Sequence, residues 1–203
     1  MELFPKEINI NILTKDGVVL YSPSFITESE CKYYIDKLIK TIEWENEVIN
    51  LFGREIIMKR QIAFYADDEI TYTYSKNEKI GKKWNEVLIS LKNKVEAKTK
   101  IKYNACLLNL YHDGTDGMGW HSDNEKEIIE NSSIVSLSFG ADRKFSFKNK
   151  KTKQTISLIL ENGSLLEMKD NTQKNWLHAL PKTKKIKNIR INLTFRQIKN
   201  ENK

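Results

Sequence analysis

Two kinds of hydrophobic period divide this chain near residue 100. Before that point, "TESECKYYIDKLIKTI" (27–42) spaces Cys31, Tyr34, Ile35, Leu38 and Ile42 as one helical stripe. Thr27 with Glu30 is the sequence of a capping box, which fixes the start of that helix. A second helix is predicted over 82–98, with Trp84, Val87, Leu88, Leu91 and Val95 on one core-facing side. "GVVLYSPSF" (17–25) predicts a short strand ending at Pro23, while "IAFYA" (62–66) and "ITYTYS" (70–75) are β-rich and flank an acidic "DDE". From residue 101 the period changes. "ACLLNLY", "SIVSLSF", "KFSF", "TISLIL", "SLLEM" and "RINLTF" alternate with turn sequences such as "HDGTDG", "GADR" and "ENG". Many short strands with regular turns predict a sandwich, barrel or jelly roll. The expected class is α+β in a single domain over 1–203. Helices and recognition strands fill 1–100, and a jelly-roll core fills 101–203.

The last strand, "RINLTFR" (190–196), carries the most information. Ile191, Leu193 and Phe195 take one face, and Arg190, Asn192, Thr194 and Arg196 take the other. If the polar face points into a barrel, two guanidiniums need an anionic partner there, because a buried unpaired charge is very costly. A dicarboxylate fits, since arginine binds carboxylates bidentately. "CLLNLY" repeats the device, with Asn109 and Tyr111 opposite Leu108 and Leu110. Solvent exposure of both polar faces is the competing reading.

A metal site is suggested less strongly by "GWHSDNE" (119–125). On a strand, His121-x-Asp123 turns both side chains to one face. Alone the pair is equally a polar turn after a glycine-rich loop. The other histidines are His112 and His178, the latter in "NWLHALP". A jelly roll could bring His178 beside His121. Two histidines and one carboxylate then form the facial set of non-haem Fe(II) oxygenases, with room for a co-substrate and O₂. The competing reading of His178 is a packed or capped histidine before a tight turn.

Charge adds a class of partner. There are 34 Lys+Arg against 27 Asp+Glu, a formal net charge of +7. Such an excess favours polyanions, chiefly nucleic acid, although general Lys, Asn and Ile richness produces the same sum. Lysines cluster in "KNKKTK" (148–153) and "KTKKIK" (182–187), both placed on loops, where they either solubilise or meet phosphates. Cys31 and Cys106 show no C-x-x-C spacing, which argues against a disulfide framework or zinc ribbon and for a reducing, intracellular compartment. "MELFPKEINI" has no secretory core, and no apolar run reaches about 18 residues, so no membrane span is expected.

Taken in order, "KRQIAFYADDEITYTYS", "NLYHDGTDGMGWHSDNE", "SIVSLSFGADRKFSFKNK", "GSLLEMKDNTQKNWLHALP" and "RINLTFR" resemble the AlkB family of Fe(II)/2-oxoglutarate dioxygenases. The likeness is to its branch of nucleic-acid repair demethylases. It runs from residue 59 to the end, and more weakly from residue 17. It implies a double-stranded β-helix core with His121, Asp123 and His178 as iron ligands. It implies that Asn109 and Tyr111 hydrogen-bond 2-oxoglutarate, that Arg190 pairs with the distal carboxylate, and that Arg196 helps hold the keto-acid end, with Asn192 and Thr194 on the same face. Glu125, Tyr72 and Tyr74 match positions that read the target base, and Arg60 joins them as a substrate-binding candidate. The implied reaction couples decarboxylation of 2-oxoglutarate by O₂ to hydroxylation of an N-methyl group on 1-methyladenine or 3-methylcytosine in DNA or RNA. Succinate, CO₂ and formaldehyde result. The base must leave the duplex to reach the iron. Asn124 departs from the second acid common among relatives. The implied protein is a monomer, cytoplasmic if bacterial and nuclear if eukaryotic. A hydroxylase of protein or small molecules on the same scaffold, and a non-catalytic nucleic-acid-binding module, are the alternatives.

Overall fold

In the computed structural model the alternating runs pair into two facing antiparallel sheets. The structure describes residues 10–51, 54–67, 70–74 and 77–199, with side chains except at 49–51 and 71–79. The larger sheet comprises β1 (Val18–Ser22), β2 (Glu45–Leu51), β3 (Arg54–Ala66), β6 (Ala105–Tyr111), β8 (Ile134–Gly140), β11 (Leu165–Lys169) and β13 (Arg190–Arg196). Its order is β1-β11-β8-β13-β6-β3-β2. The smaller sheet comprises β7 (Met118–His121), β9 (Arg143–Asn149), β10 (Thr155–Leu160) and β12 (Trp176–Leu180), in the order β10-β9-β12-β7. A separate ribbon pairs β4 (Thr71–Tyr74) with β5 (Asn77–Ile80), and the helices are α1 (Glu28–Thr41), α2 (Glu86–Thr99) and the short α3 (Thr172–Asn175).

This is the expected α+β jelly roll with two supporting helices. Its main sheet, however, takes β1, β2 and β3 from before residue 100, so the core is not confined to 101–203. β2 and β12 show no strand pattern of their own in the sequence, and β7 stops short of the strand on which His121-x-Asp123 was placed. Each pairs along one or both edges, and that pairing defines it more than its own short pattern does.

Alternation sends the side chains of the large sheet into two apolar layers. Cys106, Leu108, Leu110, Ile191, Leu193 and Phe195 pack beneath Tyr34 and Leu38 of α1 and Leu88, Leu91 and Val95 of α2. Leu107, Leu166 and Met168 pack with Phe145, Phe147 and Trp176 between the sheets. Burying each such side chain is worth about 1.5–3 kcal/mol. Every residue of β6 and β13 is buried, which excludes the solvent-exposed reading of their polar rows.

The capping box forms as read: the Thr27 hydroxyl accepts from the Glu30 N–H and the Glu30 carboxylate accepts from the Thr27 N–H. Glu30 also takes Lys94 of α2 at 2.9 Å, joining the two helices. The Lys94 ammonium and the Thr27 donors lower the Glu30 carboxyl from 4.5 to about 2. A depressed carboxyl stabilises the fold above its unfolded-state value, and that contribution is lost as pH falls from 4.5 toward 2. Glu30→Gln should therefore lower urea-unfolding stability at pH 7, and the difference from wild type should shrink by pH 3.

The second helix begins later than predicted, at Glu86, because the Asn85 side chain caps it by accepting from the Leu88 N–H. Trp84 thus lies outside the helix. It still covers the core, stacking on Phe195 at 6.4 Å while its indole N–H donates to Asp67. No helix among the described residues is long and apolar enough to cross a membrane.

Candidate active site

The polar faces of β6 and β13 meet because Asn192 lies opposite Asn109 and Arg190 opposite Tyr111 in the antiparallel register. The result is a buried hydrogen-bonded row on the inner side of the large sheet. The Arg190 guanidinium donates to Ser138 Oγ at 2.9 Å and Asn192 Oδ1 at 2.8 Å. Asn192 also accepts from Ser136 and donates to Thr194. Of the two arginines on this face, Arg196 alone has an acidic partner among the described residues. Its Nε and Nη2 both donate to Asp123 Oδ2, at 3.2 and 2.7 Å. Arg190 is 2% exposed, and among the described residues no Asp or Glu pairs with it. Burial, with Arg143 nearby, pushes it down to about 10, against a smaller opposing effect of Tyr111, so it stays charged at neutral pH. Its Nε and the Asn109 Oδ1 are buried without hydrogen-bond partners. The expected need for a dicarboxylate therefore narrows to Arg190. A carboxylate end beside Arg190 would supply the anion that this cation lacks.

The metal candidates converge across the smaller sheet. Antiparallel pairing of β12 with β7 sets His178 opposite His121. Their rings lie edge to face at 4.2 Å, and their Nε2 atoms are 3.7 Å (His121) and 3.8 Å (His178) from Asp123 Oδ1. Donor atoms of the three residues all lie within 4.8 Å of one another. His121 Nδ1 is 2.9 Å from the Gly119 carbonyl oxygen. A carbonyl only accepts, so Nδ1 carries the proton and the Nε2 lone pair is left for a metal. Burial lowers His178 to about 3, which keeps its imidazole neutral, and Phe145 stacks on it at 5.5 Å. Burial raises the Asp123 carboxyl, but Arg196 and the two histidines outweigh this and hold it at about 2. Imidazole and carboxylate donors in this set suit Fe(II).

Strand alternation does not place Asp123, because β7 ends at His121. Asp123 is aimed instead by Arg196 and by its own N–H, which donates to Gln173 Oε1 at 3.0 Å. The chain turns beyond this point, with the Ile128 N–H donating to the Glu125 carbonyl. Glu125 consequently lines a hollow beyond Asp123, not the cavity that holds the metal candidates, and its Oε2 is buried without a partner. Asn124 is exposed, away from the cluster, and Ser122 accepts from Lys150.

Every metal and 2-oxoglutarate candidate lines one cavity: His121, Asp123, His178, Asn109, Tyr111, Arg190, Asn192, Thr194 and Arg196. The substrate candidates are more scattered. Arg60 is buried on β3, in an ion pair with Glu47 and against Met118 Sδ at 3.4 Å, so it supports the cavity wall and does not face outward. Tyr72 and Tyr74 lie on β4, and their side chains fall outside the described residues.

Three supporting residues escaped the sequence reading. Arg143 is 1% exposed and donates to the carbonyls of Asp113, Gly114, Asp116 and Pro181, tying the loop before β7 to the loop after β12. Gln173 holds Asp123. Lys150, from a cluster read as a loop, is half-buried and bonds Ser122 and the Gln173 carbonyl. A buried arginine at a strand start and a pinned lysine in a basic run carry no sequence signature of their own.

Comparison with known proteins agrees with this geometry. The family model described as 2OG-Fe(II) oxygenase superfamily matches residues 18–196. The DNA oxidative demethylase ALKBH2 of Mus musculus is 36% identical over 178 residues, covering 80% of this chain and 74% of that protein. The Homo sapiens ALKBH2 is also 36% identical, covering 84% of this chain and 66% of its own length. Alpha-ketoglutarate-dependent dioxygenase alkB homolog 3 of Homo sapiens is 32% identical over 202 residues, 95% of this chain and 70% of that one. The solved structure of OsALKBH1 superposes with a TM-score of 0.62 over 88% of this chain and 97% of that one, at 16% identity, and so shows the fold. A match over nearly the whole chain, together with relatives of this similarity, makes the chain a member of the 2OG-Fe(II) oxygenase superfamily and, within it, of the AlkB family of Fe(II)- and 2-oxoglutarate-dependent dioxygenases.

Proposed function

We propose that this protein removes N-methyl groups from 1-methyladenine- and 3-methylcytosine-type bases in DNA or RNA, acting as a single-domain monomer. The observation that carries the chemistry is the joint presence, in one cavity, of the His121/Asp123/His178 cluster and the buried Arg190, which has no carboxylate partner among the described residues. The nucleic-acid substrate is supported by relatives named DNA oxidative demethylases and by the net charge of +7.

In this reading His121, Asp123 and His178 hold Fe(II). Arg190 binds the distal carboxylate of 2-oxoglutarate, and Asn109 and Tyr111 bind along its length. Arg196 keeps Asp123 ionised and oriented. When bound, iron with 2-oxoglutarate and O₂ supplies an oxidant that inserts one oxygen atom into an N-methyl C–H bond. The N-hydroxymethyl base then sheds formaldehyde, while 2-oxoglutarate leaves as succinate and CO₂. Leu107, Phe145, Met168 and Leu180 give the cavity apolar walls that limit water near the cluster. The His121 side chain is 35% exposed, against 6% for His178 and 4% for Asp123, so the target base approaches from the His121 side. Glu125 does not line the metal cavity, so its contact with a cationic methylated base would come from the adjoining hollow, which Asp123 also lines. Tyr72 and Tyr74 keep the base-contacting role that the resemblance implies for them.

The test is mass spectrometry of methylated single- and double-stranded DNA and RNA oligonucleotides after incubation with Fe(II) and 2-oxoglutarate. Loss of the methyl group from 1-methyladenine or 3-methylcytosine is expected. Turnover of 2-oxoglutarate that leaves every oligonucleotide methylated would overturn the substrate assignment and point to a protein or small-molecule hydroxylase. Tight oligonucleotide binding without binding of Fe(II) or 2-oxoglutarate would identify a non-catalytic module.

A further inference from the structure

Trp120 is out of place for packing alone. Trp176 is 1% exposed, and Trp44 and Trp84 pack against the helix-side core, yet Trp120 is 41% exposed. It lies on β7, the edge strand of the smaller sheet, immediately before His121. His121 lines the active cavity and Trp120 does not. The ground beside it is open, for a Cβ built on Gly119 would meet nothing within 4 Å. The Lys148 ammonium, from β9, sits 4.7 Å from the centre of the Trp120 ring. The exposed Lys151 and Lys153 follow in the adjoining turn.

We infer that Trp120 and Lys148 form a contact for an unpaired nucleotide that neighbours the target nucleotide, the indole stacking on its base and the ammonium meeting its phosphate. The inference rests on the nucleic-acid reading above. An exposed aromatic ring with a cation beside it is the pairing by which proteins hold single strands without reading sequence. The surrounding lysines complement phosphate and would be desolvated at cost beneath an apolar protein partner. The position also suits a neighbour: Trp120 adjoins the exposed side of the cluster, where a strand delivering its base to His121 must continue past β7.

The test compares wild type, Trp120→Ala, Trp120→Phe and Lys148→Met by fluorescence anisotropy and by steady-state kinetics. One substrate is a single-stranded 1-methyladenine oligonucleotide, and the other is the 1-methyladenine mononucleotide. Trp120→Ala should raise Kd and KM for the oligonucleotide about tenfold, leaving kcat and mononucleotide turnover unchanged. Trp120→Phe should recover most of the loss. Lys148→Met should flatten the salt dependence of binding by about 0.7 in log–log slope, the release of one counterion. If wild type binds and demethylates the oligonucleotide but Trp120→Ala is unaltered, the inference is overturned and the proposed function stands. If wild type neither binds nor demethylates any oligonucleotide, the functional reading falls, and the inference with it.

Discussion

Asp123→Ala is expected to abolish turnover, with a loss of at least about 10³-fold, because it removes the anionic metal ligand along with the partner of a buried arginine. The side chain has two distinct tasks. Oδ1 faces the Nε2 atoms of His121 and His178, and Oδ2 accepts both hydrogen bonds from Arg196. Breaking a buried ion pair from one side costs about 3–5 kcal/mol. Asp123→Ala should therefore also lower the thermal midpoint of the metal-free protein. Asp123→Asn separates the tasks, since it keeps the volume and an oxygen acceptor but loses the charge. Its midpoint should fall less, while Fe(II) binding and turnover stay severely impaired. Iron titration monitored alongside calorimetry makes the comparison. Full activity in Asp123→Asn would refute the assignment of Asp123 as a ligand.

Arg190→Met should raise KM for 2-oxoglutarate roughly 100-fold, the size expected when a buried charge-assisted pair loses one partner. The sign of its effect on stability is the more discriminating result. Arg190 is desolvated without any carboxylate partner among the described residues, so in the absence of co-substrate it is a cost to the fold. Arg190→Met should then leave the midpoint of the ligand-free protein unchanged or raised. The upward shift that 2-oxoglutarate gives wild type should disappear. A variant that loses stability without ligand and still responds to 2-oxoglutarate would show that Arg190 is only a structural link to Ser138 and Asn192.

The most informative part of the sequence was the alternation of "RINLTFR". The apolar set Ile191, Leu193 and Phe195 does pack beneath the helices, and the polar set does face the cavity. Alternation is a strictly local rule, so it holds wherever a strand holds. It fails at "HSDNE" because β7 stops at His121, and the aim of Asp123 comes from Arg196, distant in sequence. The same limit explains the second arginine. From the strand pattern alone, Arg190 and Arg196 were equivalent cations awaiting an anion. Only the fold shows that Arg196 already has Asp123. The capping box at Thr27 was legible because all its atoms lie within one turn. The late start of α2 was not, since Lys82 is drawn into a bridge with Tyr65 and Trp84 onto Phe195 before Asn85 caps the helix. Arg143 was invisible for a related reason. Its partners are backbone carbonyls, which any sequence would supply.

The coupling of co-substrate to repair is open to direct measurement. Succinate and formaldehyde should be quantified together, in the presence of Fe(II) and 2-oxoglutarate, on an oligonucleotide carrying one 1-methyladenine and on its unmethylated twin. Demethylation of nucleic acid requires the two products in equal amounts on the methylated strand, with succinate falling to a low uncoupled level on the twin. Equal succinate from both strands, with no formaldehyde from either, would contradict it.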